Sequence, residues 1–259
     1  MKNERPLLHI QNIQKYYGSN NNNIVKALDD ISFDVNKGEF LGIMGASGAG
    51  KTTLLNCIST IDTVSAGHIT LGDNDITTLK NKMLAQFRRE NLGFVFQDFS
   101  LLDNLTIYDN IALALTINGV SSVEIKRRVD TIAKELGIYE ILQHYPYETS
   151  GGQKQRCACA RAIINNPQLV LADEPTGALD SHSAQMLLET MYDMNKKLNT
   201  TFIMVTHDAL SASYAKRVIF LKDGKIYIEL QKGEKERRQF FTEILDVVAL
   251  LGGERKHVS

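Results

Sequence analysis

Gly45-Ala46-Ser47-Gly48-Ala49-Gly50-Lys51-Thr52 lies between an apolar run, Phe40 to Met44, and a segment from Lys51 to about Ile61 that reads as a helix. The stretch fits G-x-x-x-x-G-K-[ST], and a strand before it and a helix after it are the context that pattern requires. Its glycines let successive backbone N–H groups turn inward around phosphate oxygens, and the helix N-terminus adds its positive end. Lys51 can reach the β and γ phosphates of a nucleotide, and the Thr52 hydroxyl suits Mg2+, which prefers hard oxygen ligands. Thr53, directly after it, belongs to the same candidate nucleotide-binding set. A phosphate loop alone leaves kinases, GTPases and motor ATPases open.

Two further elements narrow the choice. Leu169-Val170-Leu171-Ala172-Asp173-Glu174 is an apolar strand that delivers two carboxylates at its C-terminal end, where ligands of open parallel sheets collect. Asp173 can hold Mg2+ through water. Glu174, one residue on, is expected on the other side of the extended chain, where it can polarise an attacking water. Ser150-Gly151-Gly152-Gln153 opens a helix through Gln155, Arg156, Ala160 and Arg161. Alone it is a good cap. Beside a chain that already has its own phosphate loop, these N–H groups form a second anion site that could serve the nucleotide of a neighbouring copy.

The 259 residues allow one large domain or two closely packed lobes, on a prior of about 100 to 200 residues per domain. With 29 Lys and Arg against 30 Asp and Glu, no whole-chain field favours nucleic acid or an anionic membrane, and no nucleic-acid partner is expected. A composition 43% hydrophobic and 23% charged excludes disorder and collagen-like structure. Met1 to Ile10 lacks an apolar export core, and no window approaches the roughly 20 apolar residues of a spanning helix; the best, Ile111 to Val120, is half that length. Cys57, Cys157 and Cys159 are in no metal-type spacing and read as reduced, apolar filler.

Along the chain, Leu8 to Ile13, Ile31 to Val35, His68 to Leu71 and Leu92 to Phe96 read as strands, with a polar loop at Asn20 to Asn23, suggesting an antiparallel flank. From Thr106 to Asn165 the pattern turns helical. Ile125, Val129, Ile132, Ala133 and Leu136 share one face opposite Lys126, Arg127, Asp130 and Lys134, and Ser121 with Glu124 fits a capping box. Leu169 to Ala172, Thr201 to Val205 and Val218 to Leu221 return as strands separated by helical stretches such as Ser183 to Lys197, which means a parallel sheet covered by helices. Asp223-Gly224 gives a hairpin turn. Phe240, Phe241, Ile244, Leu245, Val248 and Leu251 form a helical docking stripe ending at Gly252-Gly253.

Taken together, these elements resemble the nucleotide-binding subunit of an ATP-binding cassette (ABC) transporter from Leu8 to about Leu230. The resemblance implies that Tyr17 stacks on adenine, with Tyr16 as the register alternative. It implies that Phe96-Gln97-Asp98 is the Q-loop, with Gln97 contacting Mg2+ and sensing the γ-phosphate. Ser150, Gly151, Gly152 and Gln153 resemble the family signature, although Thr149 stands where Leu usually does. Gly177-Ala178-Leu179-Asp180 resembles the D-loop, and Thr206-His207-Asp208 the switch that puts His207 on the γ-phosphate. The implied fold is an α/β P-loop NTPase of the RecA-like type. It divides into an α/β core with an antiparallel β flank (1–97 and 159–230), a helical insertion (98–158) and a C-terminal helical extension (231–259).

Gly93 to Gln97, Leu101-Leu102 and Leu105-Thr106 are similar to the branch that exports macrolides and releases lipoproteins. The tail from Lys232-Gly233 through Gln239-Phe240-Phe241 and Ile244 to Val247 to Leu250-Leu251-Gly252-Gly253 looks like the bacitracin-type transporters. That likeness implies an ATPase with ATP and Mg2+, working as a head-to-tail dimer on the cytoplasmic face of the membrane. Its partner is a separate permease, which handles peptide antibiotics and signals through a membrane histidine kinase. Phe99, Leu101 and Leu102 are expected to offer apolar surface to that permease. A non-transporting regulatory ATPase, or a lipoprotein or macrolide exporter ATPase, is the alternative.

Overall fold

The computed structural model describes residues 5–18, 24–96 and 98–253; the expected loop at Asn20–Asn23 and Gln97 lie outside the described residues. Five parallel strands carry the site: β3 (Phe40–Gly45), β6 (Leu92–Phe96), β7 (Leu169–Asp173), β8 (Phe202–Val205) and β9 (Arg217–Lys222). With β10 (Lys225–Gln231) added antiparallel at one edge, the order is β10-β9-β3-β8-β7-β6. Alternate residues of this sheet divide between two cores. Phe40, Met44, Val170, Ala172, Phe202, Met204, Val218 and Phe220 face one, and Leu41, Ile43, Leu169, Leu171, Ile203, Val205, Ile219 and Leu221 the other. Both faces are covered, which is why these strands read as unbroken apolar runs.

A second sheet is antiparallel throughout and shares the core of Leu41 and Ile43; its strands are β1 (Leu8–Tyr17), β2 (Val25–Val35), β4 (Ala66–Leu71) and β5 (Asn74–Asp75), in the order β2-β1-β4-β5. Strand β1 outruns the expected Leu8–Ile13 because Lys15 continues the buried row despite its charge. Its ammonium donates to Asp62 and to the Thr63 carbonyl, so the burial is compensated.

Helix α1 (Lys51–Ile58) stops short of the expected Ile61, and Thr60 turns left-handed behind it at φ 59°. Helix α2 (Asn81–Asn91) was not legible, because among its described side chains only Leu84 and Phe87 are buried. The helical region comprises α3 (Ile107–Ile117), α4 (Ser122–Glu135) and α5 (Gly151–Ile163). On α4 the expected face is buried, but the capping box is only half made. The Ser121 hydroxyl accepts the Glu124 N–H, whereas the Glu124 carboxylate pairs with Arg127 and Arg128, which hold it down at about 2. Two charged partners outcompete one backbone N–H.

Helices α6 (Ser181–Leu198), α7 (Ala209–Ala212) and α8 (Arg237–Gly253) complete the chain. Asp223 and Gly224 both have positive φ, as the hairpin turn between β9 and β10 requires. Helix α8 packs against α7. Its buried row is Phe240, Ile244 and Val247, while Leu245 and Val248, expected in that stripe, are exposed. The row advances by four and then three residues, so it drifts off the expected positions at its third member. The three cysteines are buried and unpaired, and burial pushes each thiol up to about 12. Among the described residues no helix is long and apolar enough to cross a membrane.

Candidate active site

The parallel strands end together. Phe96 pairs with Asp173, Asp173 with Val205, and Ile43 with Val205, so the phosphate loop after β3 and the carboxylates after β7 open on one edge. Gly50 begins α1 at φ 99°, and a Cβ there would lie 2.5 Å from the Ala27 carbonyl, so only glycine fits the turn. Ala46, Ser47 and Gly48 are exposed at the loop tip and Ala49 is buried beneath it. The Lys51 ammonium donates to the carbonyls of Gly45 (2.9 Å) and Ala46 (3.2 Å), which holds it over the loop. Thr52 is exposed and Thr53 half-buried at the start of α1.

Asp173 is the last residue of β7 and half-buried. Burial and the neighbouring Glu174 charge hold its carboxyl above the ordinary value, with Lys51 acting against them. Glu174 is not the next residue of an extended chain. Its φ is 45°, left-handed, and its N–H donates to the Val205 carbonyl at 2.9 Å. A left-handed turn, rather than strand alternation, separates the two carboxylates. It carries Glu174 to His207, whose Nδ1 lies 3.0 Å from Glu174 Oε1 and whose N–H reaches Oε2 at 3.4 Å.

Ser150 caps α5 in a reciprocal box. Its hydroxyl accepts the Gln153 N–H at 3.3 Å, and Gln153 Oε1 accepts the Ser150 N–H at 2.9 Å. Gln153 is therefore committed locally. Thr149 closes the preceding turn by donating to the Pro146 carbonyl at 2.8 Å, so the unusual residue at that position has a local partner. A Cβ at Gly151 would meet only Leu179, at 3.7 Å, and one at Gly152 only Ser183, at 3.5 Å, both ordinary contacts. Glycine costs a helix up to ~1 kcal/mol against alanine. The described residues leave room for a side chain at both positions. Leu179, from the expected D-loop, lies nearest to where a side chain at Gly151 would stand, and Asp180 caps α6 through the N–H groups of His182 and Ser183, both at 3.0 Å.

Tyr17 donates to Asp62 at 2.6 Å. One face of its ring carries the Lys15 ammonium, 4.9 Å from the centroid, and the side chain is 42% exposed. Tyr16 bonds Gln14 and lies under Lys26 instead, so Tyr17 is the ring beside the phosphate loop. Nothing in the sequence pointed to Asp62 or Lys15 as its supports, because both read as surface charges. Arg161 was likewise missed. It donates to the carbonyls of Phe99 (2.9 Å) and Ser100 (2.6 Å), two consecutive left-handed residues just after Gln97. Leu101 packs on the helical core, while Leu102 is exposed.

The fold thus holds a phosphate loop, two strand-end carboxylates with a histidine bonded to one of them, and a capped glycine turn, and a family model described as ABC transporter matches residues 28–177. The chain belongs to the ABC transporter ATP-binding family. It is 50% identical over 249 residues to the bacitracin export ATP-binding protein BceA of Halalkalibacterium halodurans, covering 95% of this chain and 97% of that one. It is 40% identical to the lipoprotein-releasing system ATP-binding protein LolD of Bacteroides thetaiotaomicron, over 85% and 99% of the two chains. Among solved structures, the dimeric post-hydrolysis state of the ATP-binding cassette MJ0796 bound to ADP and Pi superposes with a TM-score of 0.77. That protein is 35% identical, with 86% of this chain and 98% of that one covered. This ABC subunit therefore binds and hydrolyses ATP with Mg2+. The donor set fits that ion. One hydroxyl and one carboxylate, with no cluster of three His, Cys, Asp or Glu among the described residues, suit a metal that takes most of its shell from water and substrate phosphates.

Proposed function

We propose that two copies of this chain, docked head to tail, power a separate membrane permease that gives resistance to bacitracin-like peptide antibiotics and reports them to a sensor histidine kinase. The observation that carries this reading is the 50% identity to the bacitracin export protein across nearly the whole of both chains. The dimer is supported by the dimeric MJ0796 cassette and by the open space the described residues leave beside Gly151 and Gly152.

In this reading each ATP lies between Tyr17 with residues Gly45 to Thr53 of one copy and Ser150 to Gln153 of the other. Lys51 donates to the β and γ phosphates. Thr52, Asp173 and Gln97 hold Mg2+, which neutralises charge on the phosphate oxygens when bound. Glu174 accepts the proton of the attacking water, and His207 fixes the carboxylate's orientation and meets the γ-phosphate. The helical lobe, 98–158, interrupts the α/β core of 1–97 and 159–230, and 231–259 is an extension. The permease docks from the cytoplasmic side at a cavity of about 430 Å3 lined by Arg88, Phe94, Phe96, Ser100, Ile117 and Arg161.

Deletion of the gene, complemented with wild type or Glu174→Gln, tests this. Bacitracin sensitivity should rise on deletion, be reversed by wild type alone, and be accompanied by loss of the bacitracin-induced transcriptional response. Unchanged sensitivity in the deletion strain would overturn the peptide-antibiotic reading.

A further inference from the structure

Glu174 holds a left-handed backbone, φ 45°, that a residue with a side chain keeps only when its surroundings fix it. Four bonds do so. Its N–H goes to the Val205 carbonyl, its own carbonyl accepts from the Gly177 N–H at 3.0 Å, and Thr176 Oγ1 lies 3.1 Å from Ser211 Oγ. The fourth comes from Gln155 in α5, whose Nε2 donates to the Pro175 carbonyl at 3.1 Å.

Gln155 is fully buried, and among the described residues no donor meets its Oε1. A buried amide with one end unpaired suits a core less well than a methionine of similar length. Packing therefore does not explain the residue; the bond to Pro175 does. The same helix begins at Ser150, five residues earlier, so one rigid element joins the glycine turn to the segment that aims Glu174.

We infer that Gln155 is a positioning residue: it fixes the Pro175 carbonyl and with it the turn that aims the Glu174 carboxylate, so that Glu174 follows the position of the helix that starts at Ser150. This rests on the reading of Glu174 as the base and of Ser150 as facing the partner's nucleotide.

The test is a set of variants of the full chain assayed for ATP turnover, ATP affinity and melting. Gln155→Met should lower kcat by roughly 10- to 100-fold, the range expected when a reacting group is misplaced by about 1 Å. KM for ATP should stay within about twofold, and the melting temperature should change little, because the orphaned Oε1 is gone while the Pro175 carbonyl loses its donor. Combined with Glu174→Gln, it should reduce the residual turnover no further, since Gln155 acts only through Glu174. Gln155→Glu, whose neutral carboxyl can still donate, should keep more activity than Gln155→Met.

Wild-type kcat in Gln155→Met, or full additivity with Glu174→Gln, overturns the inference. So does failure of both Gln155→Met and Gln155→Leu to fold, which would make the amide structural. The controls separate the two levels. If Glu174→Gln alone keeps turnover, the base assignment fails, whereas if it abolishes turnover and Gln155→Met does not reduce it, only this inference fails.

Discussion

Glu174 and His207 are bonded across the tips of β7 and β8, Oε1 to Nδ1 at 3.0 Å, so the carboxylate and the imidazole ring orient each other. A carboxylate oxygen can only accept, so Nδ1 is the ring's donor to Glu174. Oε2 keeps only a long bond from the His207 N–H and can take a proton from water. His207→Ala should therefore lower kcat by about 10- to 100-fold, as loss of an orienting partner does, with KM for ATP little changed. Steady-state kinetics check this, and a rise in KM at constant kcat would contradict it.

Glu174→Gln keeps size and a hydrogen-bonding oxygen but cannot accept the proton. Turnover should fall by about 100-fold or more while ATP affinity stays within about twofold. ATP-bound dimers should accumulate and be seen by size-exclusion chromatography. Turnover at the wild-type rate would remove Glu174 from the role of base.

Asp173 gives a stability test with a defined sign. Its pKa in the fold lies above the unfolded value, through burial first and Glu174 second. The folded state therefore holds the proton more tightly, and the cost of the charge is full above the folded pKa and fades as pH falls through it. Asp173→Asn removes that cost at neutral pH. The variant should melt higher than wild type at pH near 7, lose this advantage as the pH is lowered toward the carboxylate range, and be inactive with Mg2+. A lower melting temperature at neutral pH would show the carboxylate to be stabilising instead.

How much of this was legible follows from what each residue bonds. Phe40 to Met44 and Leu169 to Ala172 were readable because burial on both faces leaves no polar position to blur the pattern. Lys51, Asp173, Glu174, Ser150 and His207 stand out in the sequence because each sits at a fixed offset within a local motif. Asp62, Gln155 and Arg161 do not, since each bonds a group 20 to 62 residues away that no local spacing records, and Lys15, two residues from Tyr17 on the same strand, reads as an ordinary surface charge. The Glu124 box failed for a related reason. The spacing to Ser121 was right, but Arg127 and Arg128 compete for the same carboxylate. Helix α2 was lost because Leu84 and Phe87 alone make too thin a stripe.

Tyr17 is held at its hydroxyl by Asp62 and on one face by Lys15, which leaves the other face for a base. Asp62→Asn should loosen the ring and raise KM for ATP by about three- to tenfold at nearly constant kcat, the size of effect expected from one charge-assisted bond partly lost. In a Tyr17→Phe background, where the bond no longer exists, the same substitution should add nothing. A double-mutant cycle with full additivity would mean that Asp62 acts on the loop after α1 rather than on the ring.

The glycine turn supplies the sharpest separation of fold from assembly. At Gly152 a methyl group would meet only Ser183 at 3.5 Å, so Gly152→Ala should fold, and the helix should gain a few tenths of a kcal/mol or more from the better helix former. If a partner's phosphates approach this backbone, the same methyl group stands in their way. The variant should then bind ATP as a single chain with unchanged affinity, yet fail to form the ATP-dependent dimer and lose turnover. Ser150→Arg should do the same by bulk, although the arginine also removes the cap and should cost about 1 kcal/mol of stability. The two variants thus move stability in opposite directions and activity in the same one. A Gly152→Ala protein that dimerises on ATP and turns over normally would leave the glycine without a role outside its own chain, and the head-to-tail arrangement would lose its main support.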